Sequence, residues 1–210
     1  MASGDQQSST THDHDSDDDT STGMRYKPPQ KVDLSTIISK DADDLSLDRY
    51  KKQLLGDDVQ KLHTIIDSND QRCVIPVRIS LLFENHKPNV IFDLHGSVEQ
   101  IRQTHAKRIV NIKEGESYRI QLEYYVQRDI VTGLSFLQKI KKTKIIVDRM
   151  KYMIGSRAPS PDLQTYLGEI EVAPNGVLSR GSFSVKSKIC DDDKNLFAEW
   201  EWTLVIGKDW

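Results

Sequence analysis

Residues 118–126 read Tyr118-Arg119-Ile120-Gln121-Leu122-Glu123-Tyr124-Tyr125-Val126, with an apolar side chain at every even position. Because successive side chains of a strand point to opposite faces, this alternation predicts a half-buried β-strand. Residues 182–189 and 199–206 show the same period of two. A strand pattern therefore governs the part of the chain that follows about residue 72.

Short apolar runs separated by turn signals predict the remaining strands. Turn residues such as Lys87-Pro88-Asn89 and Ala173-Pro174-Asn175-Gly176 separate these runs. The further strands are expected at 73–84, 89–95, 108–112, 134–147, 150–154 and 164–172. Eight or nine short strands, with no sustained helical pattern between them, predict an all-β fold of the β-sandwich type rather than an α/β fold.

Composition excludes several classes of protein. The chain has 210 residues, a net charge of −3 and no apolar run that approaches the length of a membrane span. This charge balance does not favour nucleic-acid binding. Only two cysteines are present, Cys73 and Cys190, too few for the disulfide framework of a small secreted domain. We expect a soluble protein of the cytosol with no nucleic-acid partner.

The N-terminal segment differs from the rest of the chain. Residues 1–24 contain six aspartates and no lysine or arginine, so we expect a disordered acidic tail. Loose metal binding by His12-Asp13-His14-Asp15 is the less favoured interpretation of part of this tail. Residues 25–70 follow as an arm, and the predicted sandwich occupies 71–210.

The arm carries two sparse helical stripes. Leu34, Ile37 and Ile38 form the first stripe, and a second begins at Leu47 and ends before Gly56. Helices this short are marginal in water, so they need a partner surface, either in their own domain or on another protein. Pro28 and Pro29 make the preceding segment stiff, as a linker or as a docking segment.

Catalytic motifs are scarce in the sequence. No glycine-rich phosphate loop, nucleophile elbow or metal-protease motif occurs, so we expect neither a catalytic nor a metal site, no cofactor, and no enzyme activity. Lys139, Lys141, Lys142 and Lys144 form a basic group for which two interpretations stay open, a membrane-surface role and a solvated sheet edge. The apolar interior of the sandwich is interpreted either as a closed core or as a slot for an apolar ligand.

Several segments in a fixed order resemble the Rho GDP-dissociation inhibitor family over residues 25–210. The motifs that carry the resemblance are Tyr26-Lys27-Pro28-Pro29, the run 47–56, Lys113-Glu114-Gly115-Glu116-Ser117-Tyr118-Arg119-Ile120, the run 128–134, the run 148–156, Ala173-Pro174-Asn175-Gly176, the run 180–187, Asp191-Asp192-Asp193-Lys194, Trp200-Glu201-Trp202 and Lys208-Asp209-Trp210. Each motif is weak alone, and their order and spacing make the match specific.

The resemblance implies an immunoglobulin-like β-sandwich with a flexible N-terminal arm of two short helices. It also implies a partner, a prenylated Rho-family small GTPase, with the GDP form favoured. The arm would cover the switch regions of the GTPase, and the sandwich would take up its C-terminal isoprenoid. A monomer that forms a 1:1 heterodimer and contacts membranes only indirectly is expected. The alternatives are a carrier of other lipidated cargo and an adhesion or enzymatic sandwich.

The resemblance also assigns site residues by position. The switch-binding residues are Tyr26, Pro28, Pro29, Ile37, Asp44, Tyr50, Leu54, Leu55 and Asp193. The isoprenoid pocket is assigned to Leu81, Val110, Tyr118, Ile130, Leu178, Val185 and Trp202, with Val110 where the family commonly has an aromatic residue. Contact with the basic tail of the GTPase is assigned to Asp162, Glu169 and Glu171, although Leu163 and Thr165 stand where acids are expected.

Overall fold

A computed structural model describes residues 64–84 and 88–210, together with Ser46 and Arg49, which are helical and exposed. The predicted acidic tail and nearly all of the predicted arm lie outside these residues. The described chain forms nine strands: β1 Val74–Phe83, β2 Val90–Asp93, β3 Ile109–Lys113, β4 Ser117–Val126, β5 Val131–Lys142, β6 Ile145–Arg157, β7 Ser160–Val172, β8 Gly181–Cys190 and β9 Leu196–Gly207.

The strands form two sheets that face each other across an apolar core, as the alternation predicts. The first sheet has the order β2-β1-β4-β7, and the second has the order β3-β9-β8-β5-β6. The β3–β9 pair is parallel, whereas the other pairs are antiparallel. The all-β sandwich prediction is confirmed.

The two faces of each strand follow the sequence pattern. In β4, Ile120, Leu122, Tyr124 and Val126 are buried, whereas the residues between them are only partly covered. Phe136 of β5 stacks on Trp200 of β9, with 6.1 Å between ring centroids, so aromatic side chains from strands on either side of β8 help to build the core. Burial of this apolar surface is the main force that holds the two sheets together.

A helix that the sequence pattern did not predict follows β2. Helix α1, Val98–His105, is begun by a capping box in which the Ser97 hydroxyl accepts from the Gln100 amide at 3.2 Å. The Gln100 side-chain oxygen accepts in return from the Ser97 amide at 2.8 Å. Ile101 and His105, four positions apart, are the buried residues of this helix. One helix of eight residues leaves the all-β fold class unchanged.

The stretch 134–147 is not one strand. The chain turns at Thr143 and Lys144, which separate β5 from β6. Thr143 has a φ of 60°, in the left-handed region that a β-branched residue seldom adopts. The residue types at this position therefore do not predict a turn. Lys139 and Lys141 share the outward face of β5, whereas Lys144 lies in the turn rather than on the opposite strand face.

The sandwich has two ends that differ in their loops. We call the end with the turns 127–130 and 191–195 the proximal end, because the chain enters β1 there. The distal end carries the β5–β6 turn at 143–144 and the loop 173–180 between β7 and β8. Eight residues of extended strand separate Tyr118 from Val126, so the ends are about 27 Å apart along β4.

Candidate functional site

We call the side of the sandwich between β6 and β7 the open side, because no strand pairing joins the two sheets there. Each of these strands pairs with a neighbour on one side only, because β6 is the last strand of one sheet and β7 the last strand of the other. On the opposite side, where β2 and β3 are the edge strands, helix α1 packs against β9.

Five of the seven predicted pocket residues face the common interior. Leu81 and Tyr118 come from the first sheet, and Val110, Val185 and Trp202 come from the second. Val185 and Trp202 are directly opposite on β8 and β9. All but Tyr118, which is half-buried, are buried. The structure thus assembles an apolar surface from five strands of the two sheets, out of residues far apart in sequence.

The other two predicted pocket residues lie elsewhere. Ile130 is half-buried in the turn between β4 and β5 at the proximal end, so it does not join the five interior residues near the distal end. Leu178 is at the distal end but is 92% exposed, in the short 3-10 helix Val177–Ser179. Leu178 therefore belongs to the rim of the open side in this structure rather than to its lining.

Polar groups mark the point where the two edge strands approach each other. The Tyr152 hydroxyl of β6 donates to the Glu171 carboxylate of β7 at 3.4 Å. Burial, with Glu171 and Asp148 nearby, raises the pKa of Tyr118 to about 12. Burial also raises the pKa of Tyr152, and Tyr118 and Glu171 add to that effect. Both phenols are therefore neutral hydroxyls at ordinary pH.

One hydrogen bond of the interior fixes a lining residue. Trp202 donates from its indole nitrogen to the Ser187 hydroxyl at 3.0 Å, and Gln138 donates to the same oxygen at 3.3 Å. These buried polar groups hold the Trp202 ring in one orientation beside Val185. Trp200, by contrast, has a buried indole nitrogen with no hydrogen-bond partner within the described part of the chain.

The three acidic residues assigned to a basic partner segment do not form one cluster. Asp162 is exposed near the proximal start of β7, whereas Glu169 and Glu171 lie toward its distal end. Seven residues of strand between Asp162 and Glu169 correspond to about 23 Å. Glu171 is directly opposite Tyr118, so its carboxylate belongs to the open side, and Glu169 is exposed beside it.

The predicted switch-binding residues fall almost wholly outside the described residues. Asp193 is the exception, half-buried in the turn between β8 and β9 at the proximal end. The Asp192 amide donates to the Thr132 carbonyl at 3.1 Å, which joins that turn to the start of β5. A side chain at Gly133 would overlap the Asp192 carboxylate, so glycine is required for this contact.

A buried glutamine that sequence reasoning missed holds the segment leading from the arm to β1. Gln127 is fully buried and donates from Nε2 to the carbonyls of Asp70 at 2.8 Å and Arg72 at 2.9 Å. Its Oε1 accepts from the amides of Ile66 at 2.9 Å and Asp67 at 3.0 Å. All the hydrogen-bonding capacity of this amide is used, so Gln127 fixes where the arm leaves the sandwich.

Among the described residues, no three His, Cys, Asp or Glu side chains are grouped so that they could hold a metal ion. No helix in the described part of the chain is long and apolar enough to cross a membrane. The fold defines a β-sandwich with an apolar core between its two sheets.

Comparisons with known proteins identify the family. Residues 9–209 match the sequence model of the family described as "RHO protein GDP dissociation inhibitor". The chain is 36% identical over 197 residues to a "Probable rho GDP-dissociation inhibitor" of Caenorhabditis elegans, covering 94% of this chain and 99% of that one. It is 35% identical over 187 residues to human "Rho GDP-dissociation inhibitor 1", covering 89% of this chain and 87% of the human protein.

A fungal relative extends the comparison. The "Rho GDP-dissociation inhibitor" of Schizosaccharomyces pombe is 32% identical over 210 residues, covering 97% of this chain and 96% of the yeast protein. The chain belongs to the Rho GDP-dissociation inhibitor family. The family predicted from the sequence motifs is confirmed.

Proposed function

We propose that the chain binds prenylated Rho-family GTPases, slows their release of GDP, and removes them from membranes by holding their isoprenoid between its two sheets. The observation that carries this proposal is the apolar interior that Leu81, Val110, Tyr118, Val185 and Trp202 help to form between the two sheets. Family membership supports the identity of the partner. The role is that of a regulator rather than a catalyst.

The interior provides a place where an isoprenoid is protected from water. A lipid chain gains roughly 0.8 kcal/mol for each methylene that it buries in a membrane, and moving it into water loses this gain. A dry apolar interior between two sheets restores most of it. The lining is made of aliphatic and aromatic side chains. Its polar groups are the Tyr118 hydroxyl and the Trp202 indole nitrogen, which donates to the Ser187 hydroxyl.

The arm accounts for slower GDP release. A GTPase releases its nucleotide when its switch loops loosen, so an arm that binds only the closed loops shifts the population toward the closed state. Asp44 would accept hydrogen bonds near the first switch loop, and Leu54 and Leu55 would offer apolar contacts. Tyr26, Pro28 and Pro29 would dock the leading segment, with Ile37 and Tyr50 on the two helices.

The proximal end sets the position of this arm. Gln127 holds residues 66–72 in place through four hydrogen bonds, so the arm begins from a fixed point rather than from a loose linker. Asp193 lies at the same end and would face the GTPase in this arrangement. The GTPase would then sit at the proximal end while its lipidated tail reaches the open side.

The acidic residues of β7 would guide that tail. Glu169 is exposed and Glu171 lies at the open side, so a basic segment that precedes the lipid passes beside two carboxylates. Asp162 would contact a more proximal part of the same segment. The complex is a 1:1 heterodimer in the cytosol, and it favours the GDP form of the partner.

The test is GDP release from a prenylated Rho GTPase, followed with a fluorescent nucleotide. The full chain is expected to slow release, and a chain that begins at residue 57 is expected to lose this effect while it still binds the lipidated partner. If the shortened chain slowed release as well as the full chain, the proposed role of the arm would be wrong. If neither bound the partner, the whole proposal would fail.

A further inference from the structure

Strand β7 leaves one of its sides unpaired. It is the last strand of the first sheet, and within the described residues its backbone pairs only with β4. An unpaired strand edge presents a row of amide and carbonyl groups with which another extended chain can pair. We call the unpaired side of residues 162–172 the β7 edge. At the usual rise of a strand it is roughly 33 Å long.

The β7 edge lacks two features that commonly protect an edge strand from other chains, proline and lysine. Residues 162–172 contain neither of them, and they contain no arginine. The pairing with β4 is irregular where Gly168 and Glu169 together lie opposite Ile120. This bulge bends the edge, but the strand continues on both sides of it. The edge is therefore available to a partner of suitable chemistry.

The outward face of β7 exposes a row of aliphatic side chains. Leu167 is directly opposite Gln121, and Ile170 is directly opposite Arg119. These partners alternate in β4 with the buried residues, so the row points away from the interior. Several exposed aliphatic residues on one strand indicate a contact surface. The aliphatic row consists of Leu163, Leu167, Ile170 and Val172, which are 38%, 50%, 46% and 56% exposed.

Each charged side chain of β7 is acidic. Glu171 is directly opposite Tyr118 and accepts from the Tyr152 hydroxyl, so its carboxylate lies on the inward side of the edge. Glu169 is exposed beside it, and Asp162 is exposed near the proximal start of the strand. The β7 edge thus combines an aliphatic outward face with carboxylates on its other side at the distal end.

We propose that the β7 edge binds the C-terminal segment of the partner GTPase as an added strand. The segment carries aliphatic side chains on the face beside the aliphatic row and basic side chains on the face beside the carboxylates. Because successive side chains of a strand point to opposite faces, the segment that fits alternates between aliphatic and basic residues. Backbone hydrogen bonds supply affinity in such strand addition, and the alternate side chains supply specificity.

A second copy of the chain fits the β7 edge poorly. In an antiparallel pair of β7 strands centred between Tyr166 and Leu167, Asp162 of each copy lies opposite Glu171 of the other. Like charges directly opposite each other destabilise paired strands. A basic segment instead brings opposite charge to these carboxylates.

This inference rests on the proposed function and names the chemistry of the partner segment. β7 runs from the proximal end to the distal end, which is the course proposed for the lipidated tail. The tail would therefore pair with β7 in the parallel orientation, as β3 pairs with β9. The aliphatic row then favours Rho GTPases whose tail alternates between aliphatic and basic residues over those whose tail is basic throughout.

The experiment measures the binding of labelled synthetic peptides to the full chain by fluorescence anisotropy. Each peptide has about ten residues, the length of the β7 edge, and ends in a geranylgeranylated cysteine. One peptide alternates valine with lysine, and the other has the same composition with its valines and lysines in two blocks. The alternating peptide should bind about tenfold more tightly. The geranylgeranylated cysteine alone measures the contribution of the isoprenoid.

Methylation of the peptide nitrogens tests the strand pairing directly. In an added strand, the amides of every second residue point toward β7, whereas the others point away from it. Two alternating peptides are therefore compared, one with methyl groups on the valine nitrogens and one with methyl groups on the lysine nitrogens. One of the two should bind about tenfold more weakly, and the other should bind as the unmethylated peptide does. An equal effect of both would contradict strand pairing.

The aliphatic row is tested by Ile170→Ser, which should weaken binding of the alternating peptide about fivefold. Its control is Ile91→Ser, because Ile91 is 45% exposed on the outward face of β2, at the other edge of the same sheet. Glu169→Lys should weaken binding about fivefold at low salt and less at high salt. Its control is Glu201→Lys, at an exposed position of β9. Both controls should bind as the parent does.

Several outcomes would overturn the inference. Equal binding of the alternating and block peptides removes the added strand, as does an equal loss on Ile170→Ser and Ile91→Ser. Self-association of the parent in sedimentation velocity, abolished by Ile170→Ser, would make a second copy the occupant. If the geranylgeranylated cysteine binds and the peptide adds no affinity, this inference fails and the proposed function stands. If that cysteine does not bind, both fail.

Discussion

The Tyr152 hydroxyl lies 3.4 Å from the Glu171 carboxylate, which joins β6 of one sheet to β7 of the other. This contact crosses the open side of the sandwich at the point where no backbone hydrogen bonds join the edge strands. The donor is the Tyr152 hydroxyl, whose pKa is raised, and the acceptor is the Glu171 carboxylate. A neutral group therefore donates to a carboxylate in this bond. It limits how far the two edges separate.

Tyr152→Phe should remove this bond and keep the ring that stacks on Phe136. The free energy of unfolding should fall by about 1 kcal/mol, as measured by urea denaturation. Access of an apolar probe to the interior should rise, because the edges are no longer joined. Tyr125→Phe, on the outward side of β4, is the control, and an equal loss of stability there would contradict this role.

Gln127→Leu should release the segment that connects the arm to β1. The amides of Ile66 and Asp67 and the carbonyl of Arg72 lose the bonds from Gln127, whereas the Asp70 carbonyl keeps its bonds from Arg128. We therefore expect roughly 2–3 kcal/mol of lost stability. Amide exchange at Ile66 and Asp67 should become faster, and mass spectrometry of deuterium uptake measures it.

The control for this change is Gln71→Leu, which removes a single bond of 3.3 Å to the Ser68 carbonyl at an exposed site. It should cost less than about 0.5 kcal/mol. Unchanged exchange at Ile66 in the Gln127 variant would show that the connecting segment is held by other contacts.

His105 should make the sandwich less stable as the solution is acidified. Burial lowers the pKa of His105, nearby Arg108 lowers it further, and the bond from its Nε2 to the Asp93 carbonyl at 2.7 Å acts in the opposite direction. The folded state therefore takes up its proton later than the unfolded chain, whose histidine titrates near pH 6.5. The unfolded state binds more protons as pH falls through this range, so stability is lost.

Urea unfolding at about pH 7.5 and about pH 5.5 measures this dependence. His105→Gln keeps a hydrogen-bond donor near the Asp93 carbonyl but cannot titrate, so its stability should change less between the two conditions. The parent and the variant have the same carboxylates, so the contribution of carboxylate titration is the same in both and drops out of the comparison. A parallel loss in parent and variant would assign the pH dependence to residues other than His105.

Leu54→Ala combined with Leu55→Ala should weaken the hold of the arm on the GTPase switch loops. Two apolar anchors at an interface contribute enough that we expect GDP release to be inhibited about tenfold less effectively. Binding of the lipidated tail should persist. Ile65→Ala, 55% exposed and outside the predicted anchors, is the control, and a similar loss there would contradict the assignment.

The sequence was most informative where burial alternates. Ile120, Leu122 and Tyr124 follow the period of two, and the structure buries all three. The β5–β6 turn was missed because Thr143 adopts a left-handed conformation that its residue type disfavours. Helix α1 was missed because eight residues give a short pattern, although Ser97 and Gln100 carry the spacing of a capping box.

The candidate site was harder to predict than the fold. Leu81 and Trp202 are far apart in the chain, and the order of the strands in the two sheets places both in one interior. The alternation of apolar residues within a strand does not reveal that order. The resemblance supplied both residues, and it also supplied Ile130, which the structure places at the proximal end. Gln127 carries no pattern of its own, because a buried glutamine and an exposed one look alike in sequence.

The central claim is that the interior of the sandwich receives the isoprenoid. Val185→Phe adds bulk beside Trp202, and Val205→Phe adds the same bulk on the outward face of β9. Overpacking a core costs about 1–3 kcal/mol of stability, so each variant must first be shown to be folded. Thermal unfolding and inhibition of GDP release from an unprenylated GTPase serve as these controls.

The decisive measurement is the fraction of a prenylated Rho GTPase that each protein moves from vesicles into the supernatant. The account predicts dose-dependent removal by the parent and by Val205→Phe, and at least tenfold weaker removal by Val185→Phe. Removal by Val185→Phe at the level of the parent would contradict the account, as would equal affinity of the parent for prenylated and unprenylated GTPase.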